Sequence, residues 1–169
     1  MSWSDQAPVL KKILNQPLPI SDDPVCPDLT PLSLPKFFES LRLTAQHIRT
    51  IDTKFARFSN LTELSLTGNF LTSESLALGI PHLPPSIQIL SLNGNMLTEV
   101  PDLAHLSLIH LGLAHNRISK ISKSCLPKSL ISLDLAWTDY EDVSELVLAL
   151  KGFQLKVLVV IVRNSLSPI

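Results

Sequence analysis

Cysteine is scarce in this chain. Only Cys26 and Cys125 occur among 169 residues, and neither belongs to a CxxC or CxxH pattern. That spacing argues against a zinc site or a disulfide framework and makes a reducing compartment the default. Excess charge is missing as well. Fourteen Lys and Arg face fifteen Asp and Glu, a net charge of -1, which disfavours a nucleic-acid binder relying on bulk positive potential. Long apolar runs are absent: the longest, Val157–Val162, falls far short of the ~20 residues of a membrane-crossing helix. Met1-Ser2-Trp3-Ser4-Asp5 opens no basic-then-apolar leader. The glycines at 68, 79, 94, 112 and 152 are scattered and form neither GxGxxG nor GxxxxGK, so no phosphate-cradling loop is expected. These absences predict a cytoplasmic protein without membrane association, nucleic-acid partner, metal, cofactor or small-molecule substrate.

What the chain has in quantity is leucine, 33 of 169 residues. With 45% hydrophobic and 17% charged residues it is too apolar to be disordered. A single domain of this length buries roughly 70% of the unfolded chain's surface. Two segments differ in character. Residues 1–37 hold seven of the thirteen prolines. Each removes a backbone donor and fixes φ, so the segment is expected to be an extended Pro-rich arm, with Leu29, Leu32, Leu34 and Phe37 resting on the unit behind it. Residues 38–169 are the domain proper.

From Phe38 onward the pattern LxxLxLxxNxL recurs. The copies are Phe38-Leu41-Leu43-Gln46-Ile48, Leu61-Leu64-Leu66-Asn69-Leu71, Ile87-Leu90-Leu92-Asn95-Leu97, Leu108-Leu111-Leu113-Asn116-Ile118 and Leu130-Leu133-Leu135-Thr138-Tyr140. A sixth opens with Leu155-Leu158-Val160 and loses register. The starts are 23, 26, 21, 22 and 25 residues apart, a spacing that marks a repeat array. Within each copy the xxLxL segment suits a short strand that turns its two leucines inward. The Asn falls where the chain leaves the strand, and its amide can serve peptide groups that a tight turn would leave bare. One copy cannot bury its apolar side, so copies must stack. The prediction is an α/β solenoid of about six coils, with the strands in one parallel sheet on the concave face.

Two return segments read as helical. Asp139 is the expected N-cap of a helix over Val143, Leu146, Val147 and Leu150 that ends at Gly152, and Ser73–Leu78 is a shorter case. The returns Ile48–Phe58 and Ile118–Pro127 suit one turn of helix or 3₁₀ at most. The last strand is followed by seven residues and no return segment, which leads us to expect a truncated or differently terminated form.

Register assigns the outward residues. They are Ser40, Glu63, Ile89, His110, Ser132 and Val157 in one row. Arg42, Ser65, Ser91, Gly112, Asp134 and Val159 make the next, and Thr44, Thr67, Asn93, Ala114, Ala136 and Ile161 the third. The ascending rim carries His47, Phe70, Met96, His115, Arg117, Trp137 and Asp139. Aromatic residues, Met and Arg are enriched in protein interfaces, so Phe70, Met96, His110, Arg117, Asp134 and Trp137 are the candidate contacts with a protein partner. Ser91, His110 and Asp134 lie on successive strands and have the residue types of a hydrolytic triad. An open strand face offers them no oxyanion donors. His105, His110 and His115, spaced by five, suit no metal geometry. The domain is read as non-enzymatic.

The copies resemble the short intracellular leucine-rich repeats, a likeness that covers about 130 of the 169 residues. A narrower likeness, to a member often grouped with ciliary repeat proteins, rests on Phe37-Phe38-Glu39-Ser40-Leu41-Arg42-Leu43, on Leu83–Leu90, on Ile109–Asn116 and on Leu130–Leu135. That family closes its last strand with a Gly-Asn-Pro-Leu-like turn, which Val160–Leu166 replaces here. The resemblance implies a non-catalytic protein-binding scaffold in a ciliary or axonemal setting. The alternative is a regulatory or adaptor subunit of an enzyme such as a phosphatase or a ubiquitin ligase. It supplies no catalytic, cofactor-binding or metal-ligating residues.

Overall fold

The structure is a computed structural model and describes residues 34–140 and 142–162. The predicted arm therefore lies outside the described residues except for its last four, and so does the sequence after Val162. Six strands run in chain order: β1 (Ser40–Arg42), β2 (Glu63–Ser65), β3 (Ile89–Ser91), β4 (His110–Gly112), β5 (Ser132–Thr138) and β6 (Val157–Val162). They form one sheet in the order β1-β2-β3-β4-β5-β6, and every pairing is parallel. This is the predicted solenoid with one strand per repeat.

Register ties the fold to the leucine pattern. Leu41, Leu64, Leu90, Leu111, Leu133 and Leu158 stand opposite one another across all six strands. Leu64, Leu90, Leu111 and Leu133 are fully buried. A second buried column is Leu43, Leu66, Leu92, Leu113 and Leu135, and a third is Ile48, Leu71, Leu97, Ile118 and Tyr140. Each buried leucine removes enough apolar surface from water to stabilise by about 1.5–3 kcal/mol. No coil could collect that gain without its neighbours.

Asparagine side chains stitch the coils where the third column begins. Asn69 Oδ1 accepts the backbone N–H groups of Gln46 and Ile48, both at 3.0 Å. Its Nδ2 donates to the carbonyls of Leu43 and Leu66, both at 2.8 Å. Asn95 repeats the arrangement with Leu71 N–H (3.1 Å) and the Leu66 and Leu92 carbonyls (3.0 and 2.9 Å). Asn116 does the same with Leu97 N–H and the Leu92 and Leu113 carbonyls. All three are buried, and each satisfies peptide groups of two consecutive coils. Thr138 takes this place in the fifth coil with one hydroxyl, which donates to the Leu135 carbonyl at 2.8 Å.

The convex side holds two short helices, α1 (Ser73–Gly79) and α2 (Val143–Ala149), and 3₁₀ turns at Leu34–Phe37, Thr53–Arg57, Ile80–His82 and Lys123–Cys125. Thr72 and Ser75 form a reciprocal capping box at α1. Ser73 Oγ donates to the Glu99 carbonyl at 3.0 Å and accepts from the N–H groups of Thr98 and Glu99, binding the helix to the next coil. Gly79 is needed because a Cβ there would lie 2.4 Å from the Cβ of Ile51 in the preceding coil.

Two expectations need correction. Helix α2 is capped by Asp142, whose carboxylate accepts from Ser144 N–H at 2.7 Å, and not by Asp139. The Ser144 contacts hold the Asp142 carboxyl below its ordinary pKa. The chain stays extended through 140 because Tyr140 is drawn into the third core column, and the helix cannot start before that anchor. Leu146 and Leu150 are buried, whereas Val143 and Val147 are exposed. Phe37 is 61% exposed and does not rest on the first unit; its neighbour Phe38 packs there, 6.2 Å from the Phe58 ring.

Candidate interaction surface

The sheet's outward face is built by alternation along each short strand. Its polar residues pair locally in the first half. Arg42 binds Glu63 through Nε at 3.0 Å and Nη2 at 2.8 Å, and Ser65, Thr67 and Ser91 form a hydroxyl chain with steps of 3.1 and 3.0 Å. Asn93 Oδ1 accepts from Ala114 N–H at 2.8 Å, so its amide lies across the strand end. Gly112 makes room for it, since a Cβ there would meet Asn93 Oδ1 at 2.8 Å.

His110 stands directly opposite Ser132, and its Nδ1 is 2.9 Å from Ser132 Oγ. Ser91 belongs to the hydroxyl chain, and Asp134 Oδ1 accepts from Ala136 N–H at 3.0 Å. The structure therefore does not bring Ser91, His110 and Asp134 together as a triad. Register places His110 opposite Ile89 and Ser132, while Ser91 and Asp134 share a row with Gly112. Among the described residues no group of three His, Cys, Asp or Glu could hold a metal, and no helix is long and apolar enough to cross a membrane.

The rim has a feature that composition alone does not reveal. The residue before each Asn position is left-handed: Ala45, Gly68, Gly94, His115 and Trp137 all have φ between 54° and 69°. Glycine occupies this column without strain. A residue with a Cβ there costs roughly 1–2 kcal/mol. Trp137 and His115 are neighbours in the column, with rings stacked at 6.1 Å and 14°. Trp137 is nevertheless 44% exposed. Two positions further along, just past the Asn position, His47 lies 5.5 Å from the Phe70 ring, and Arg49 Cζ sits 5.8 Å from the same ring's centroid. Phe70 is thus half-buried under two neighbours. Met96 and Arg117 are exposed, and His110 and Asp134 are half-buried. The predicted contacts are therefore spread out: Phe70 lies on the second coil of the rim and Trp137 on the fifth, and His110 and Asp134 occupy neighbouring rows of the strand face. Met96 and Arg117 lie between Phe70 and Trp137 along the rim. His115 was on the predicted rim but not among the candidate contacts. The signal for it is the pair of glycines, Gly68 and Gly94, at the equivalent positions.

One short parallel strand per coil, an inward leucine pair on each and buried asparagines bridging the turns define a leucine-rich repeat protein. Within that class the chain is similar to leucine-rich repeat-containing protein 43 of mouse, 30% identical over 139 residues, which are 78% of this chain and 20% of the mouse protein. The human protein of the same name matches at 30% over the same length, so the chain spans about a fifth of these curated relatives. A shorter likeness, 35% over 65 residues (38% of this chain, 27% of the other), is to the U2 small nuclear ribonucleoprotein A' of Eremothecium gossypii. No family model matches. Among solved structures, the functional domain of InlJ from Listeria monocytogenes covers 66% of this chain and 23% of its own, at 22% identity and a TM-score of 0.48. The leucine-rich repeat domain of APL1 covers 62% and 34%, at 25% identity and a TM-score of 0.46.

Proposed function

We propose that this chain is a non-catalytic docking module that binds a protein partner through the concave sheet face and the ascending rim, with Phe70, Met96, His110, Arg117, Asp134 and Trp137 in contact. The observation that carries this reading is the exposed, stacked Trp137–His115 pair, held at backbone angles that glycine would adopt without strain. Strain of this kind persists where the surrounding structure enforces it and clusters at functional sites. Size supports a weak or composite interface. Six strands at ~4.8 Å make a strip ~24 Å wide and, at a height of ~20 Å, roughly 500 Å², against the ~800 Å² per partner of a standard interface. The rim therefore adds needed area. A cytoplasmic, ciliary or axonemal setting extends the proposal and rests on the family resemblance alone.

The test is affinity capture with the wild-type chain and with Trp137→Ala from ciliated and non-ciliated cells, followed by direct binding of each partner found. Loss of partners with the variant is expected. Retention of every partner would show that the rim is not the contact surface. A captured enzyme whose rate changes on binding would instead support the regulatory-subunit alternative.

A further inference from the structure

The two halves of the sheet face differ in charge. At the N-terminal end Glu63 is neutralised by Arg42. Across β3 to β6 Asp134 is the single Asp, Glu, Lys or Arg. It is half-buried, its Oδ1 accepts from Ala136 N–H, and no ion pair reaches it among the described residues. Its register neighbours are Gly112 on one side and Val159 on the other, so neither offers it a donor side chain. Next to it β6 turns apolar side chains to solvent: Val157, Val159 and Ile161 are 48, 39 and 41% exposed. At the end of the strand stands the stacked Trp137. A lone carboxylate bordered by apolar surface favours a cation whose alkyl stem can cover that surface.

Spacing narrows the ligand further. Asp134 and Trp137 are three residues apart on β5, at most roughly 10 Å at 3.3 Å per residue and less because Trp137 is left-handed. An extended peptide spans that distance in two to three residues. Resting on the docking-module reading above, we propose that the C-terminal half of this surface takes an extended basic segment of a partner protein. Lys or Arg of that segment pairs with Asp134, and a large apolar side chain two or three positions away lies against Trp137 and Ile161. Charge complementarity chooses the cation, and the exposed aromatic and β-branched surface chooses its neighbour.

The experiment is selection of a displayed random octapeptide library on the full chain, repeated on Asp134→Asn and Trp137→Gly. The first variant keeps the acceptor for Ala136 N–H and removes the charge. The second suits the left-handed backbone. Circular dichroism melts confirm that both are folded. Wild-type selection is expected to enrich Lys or Arg two or three positions from a large apolar residue. The chosen peptides should bind Asp134→Asn about tenfold more weakly, the scale of one half-desolvated charge pair. Trp137→Gly should lose the preference for the apolar residue. Selected peptides without basic enrichment, or with equal affinity for Asp134→Asn, overturn the proposal. If such peptides respond instead to Phe70→Ala or Arg42→Ala, docking on this surface stands and only the basic-segment assignment falls. If none responds to any change on the face or rim, both fall together.

Discussion

The Trp137 indole lies 6.1 Å from the His115 imidazole at an interplanar angle of 14°, and both residues hold left-handed backbone. Ring and backbone can be separated by two substitutions that remove the same ring. Trp137→Gly is expected to be more stable than Trp137→Ala by about 1 kcal/mol, because only glycine adopts φ +58° without cost. Chemical denaturation of the two variants measures the difference. Equal stabilities would mean that the column carries no strain.

Asn95 is the best test of the turn chemistry. Asn95→Ala would strip the acceptor from buried Leu71 N–H and one donor each from the Leu66 and Leu92 carbonyls, which keep the amides of Asn69 and Asn116. An unsatisfied buried group costs about 1–3 kcal/mol, and Leu71 N–H becomes one, so the loss should be about 1–3 kcal/mol, with cooperative unfolding at lower denaturant. A cost under 1 kcal/mol would mean that water or relaxed backbone replaces the amide.

Gly79→Ala sets two effects against each other. Alanine is the better helix former by about 1 kcal/mol, yet its Cβ would fall 2.4 Å from Ile51 Cβ. Overpacking of a close contact costs about 1–3 kcal/mol, and the clash is with a β-branched carbon near the backbone, so the clash should win. A lowered melting temperature is the expected reading, and a raised one would show that adjacent coils separate freely.

Tyr140 is buried, and its hydroxyl makes no hydrogen bond among the described residues. Burial pushes its pKa up to about 12, with the Ile121 backbone opposing only in part; no contact there meets hydrogen-bond geometry. The folded state thus holds the phenol proton more tightly than the unfolded chain, whose value is near 10. The resulting stability is complete below pH 10 and is lost as pH rises towards 12. Tyr140→Phe should leave stability at pH 7 equal or higher by about 1 kcal/mol, since it removes an unpaired buried hydroxyl. It should also flatten the wild-type decline between pH 10 and 12. Melts of both proteins across that range decide it.

The leucine columns were legible because a strand-and-turn repeat of nearly fixed length leaves Leu64, Leu90, Leu111 and Leu133 one way to share a core. The asparagine role was legible for the same reason. The cap of α2 was not. Asp139 and Asp142 both precede the helix, and the choice was made by Tyr140, whose burial holds the backbone extended. The strand register was legible too: the rows Ile89, His110, Ser132 and Ser91, Gly112, Asp134 are those that the repeat assigns. What the row does not state is that the His110 and Ser132 side chains meet within hydrogen-bond distance. The Trp137–His115 stack was half legible: the rim position was clear, but the left-handed angle was signalled only by glycine two and three coils away.

Leu158 stands in the same column as Leu133 and yet is 40% exposed, while Leu133 is fully buried. A linear stack stabilised through nearest neighbours loses its structure from whichever unit has the fewest. Among the described residues β1 and β6 each pair with one strand, so their amide protons should exchange before those of β3 and β4, and the stack opens from its outer coils inward. The stretch that carries the basic-segment surface would then be among the parts most readily tightened when a partner arrives.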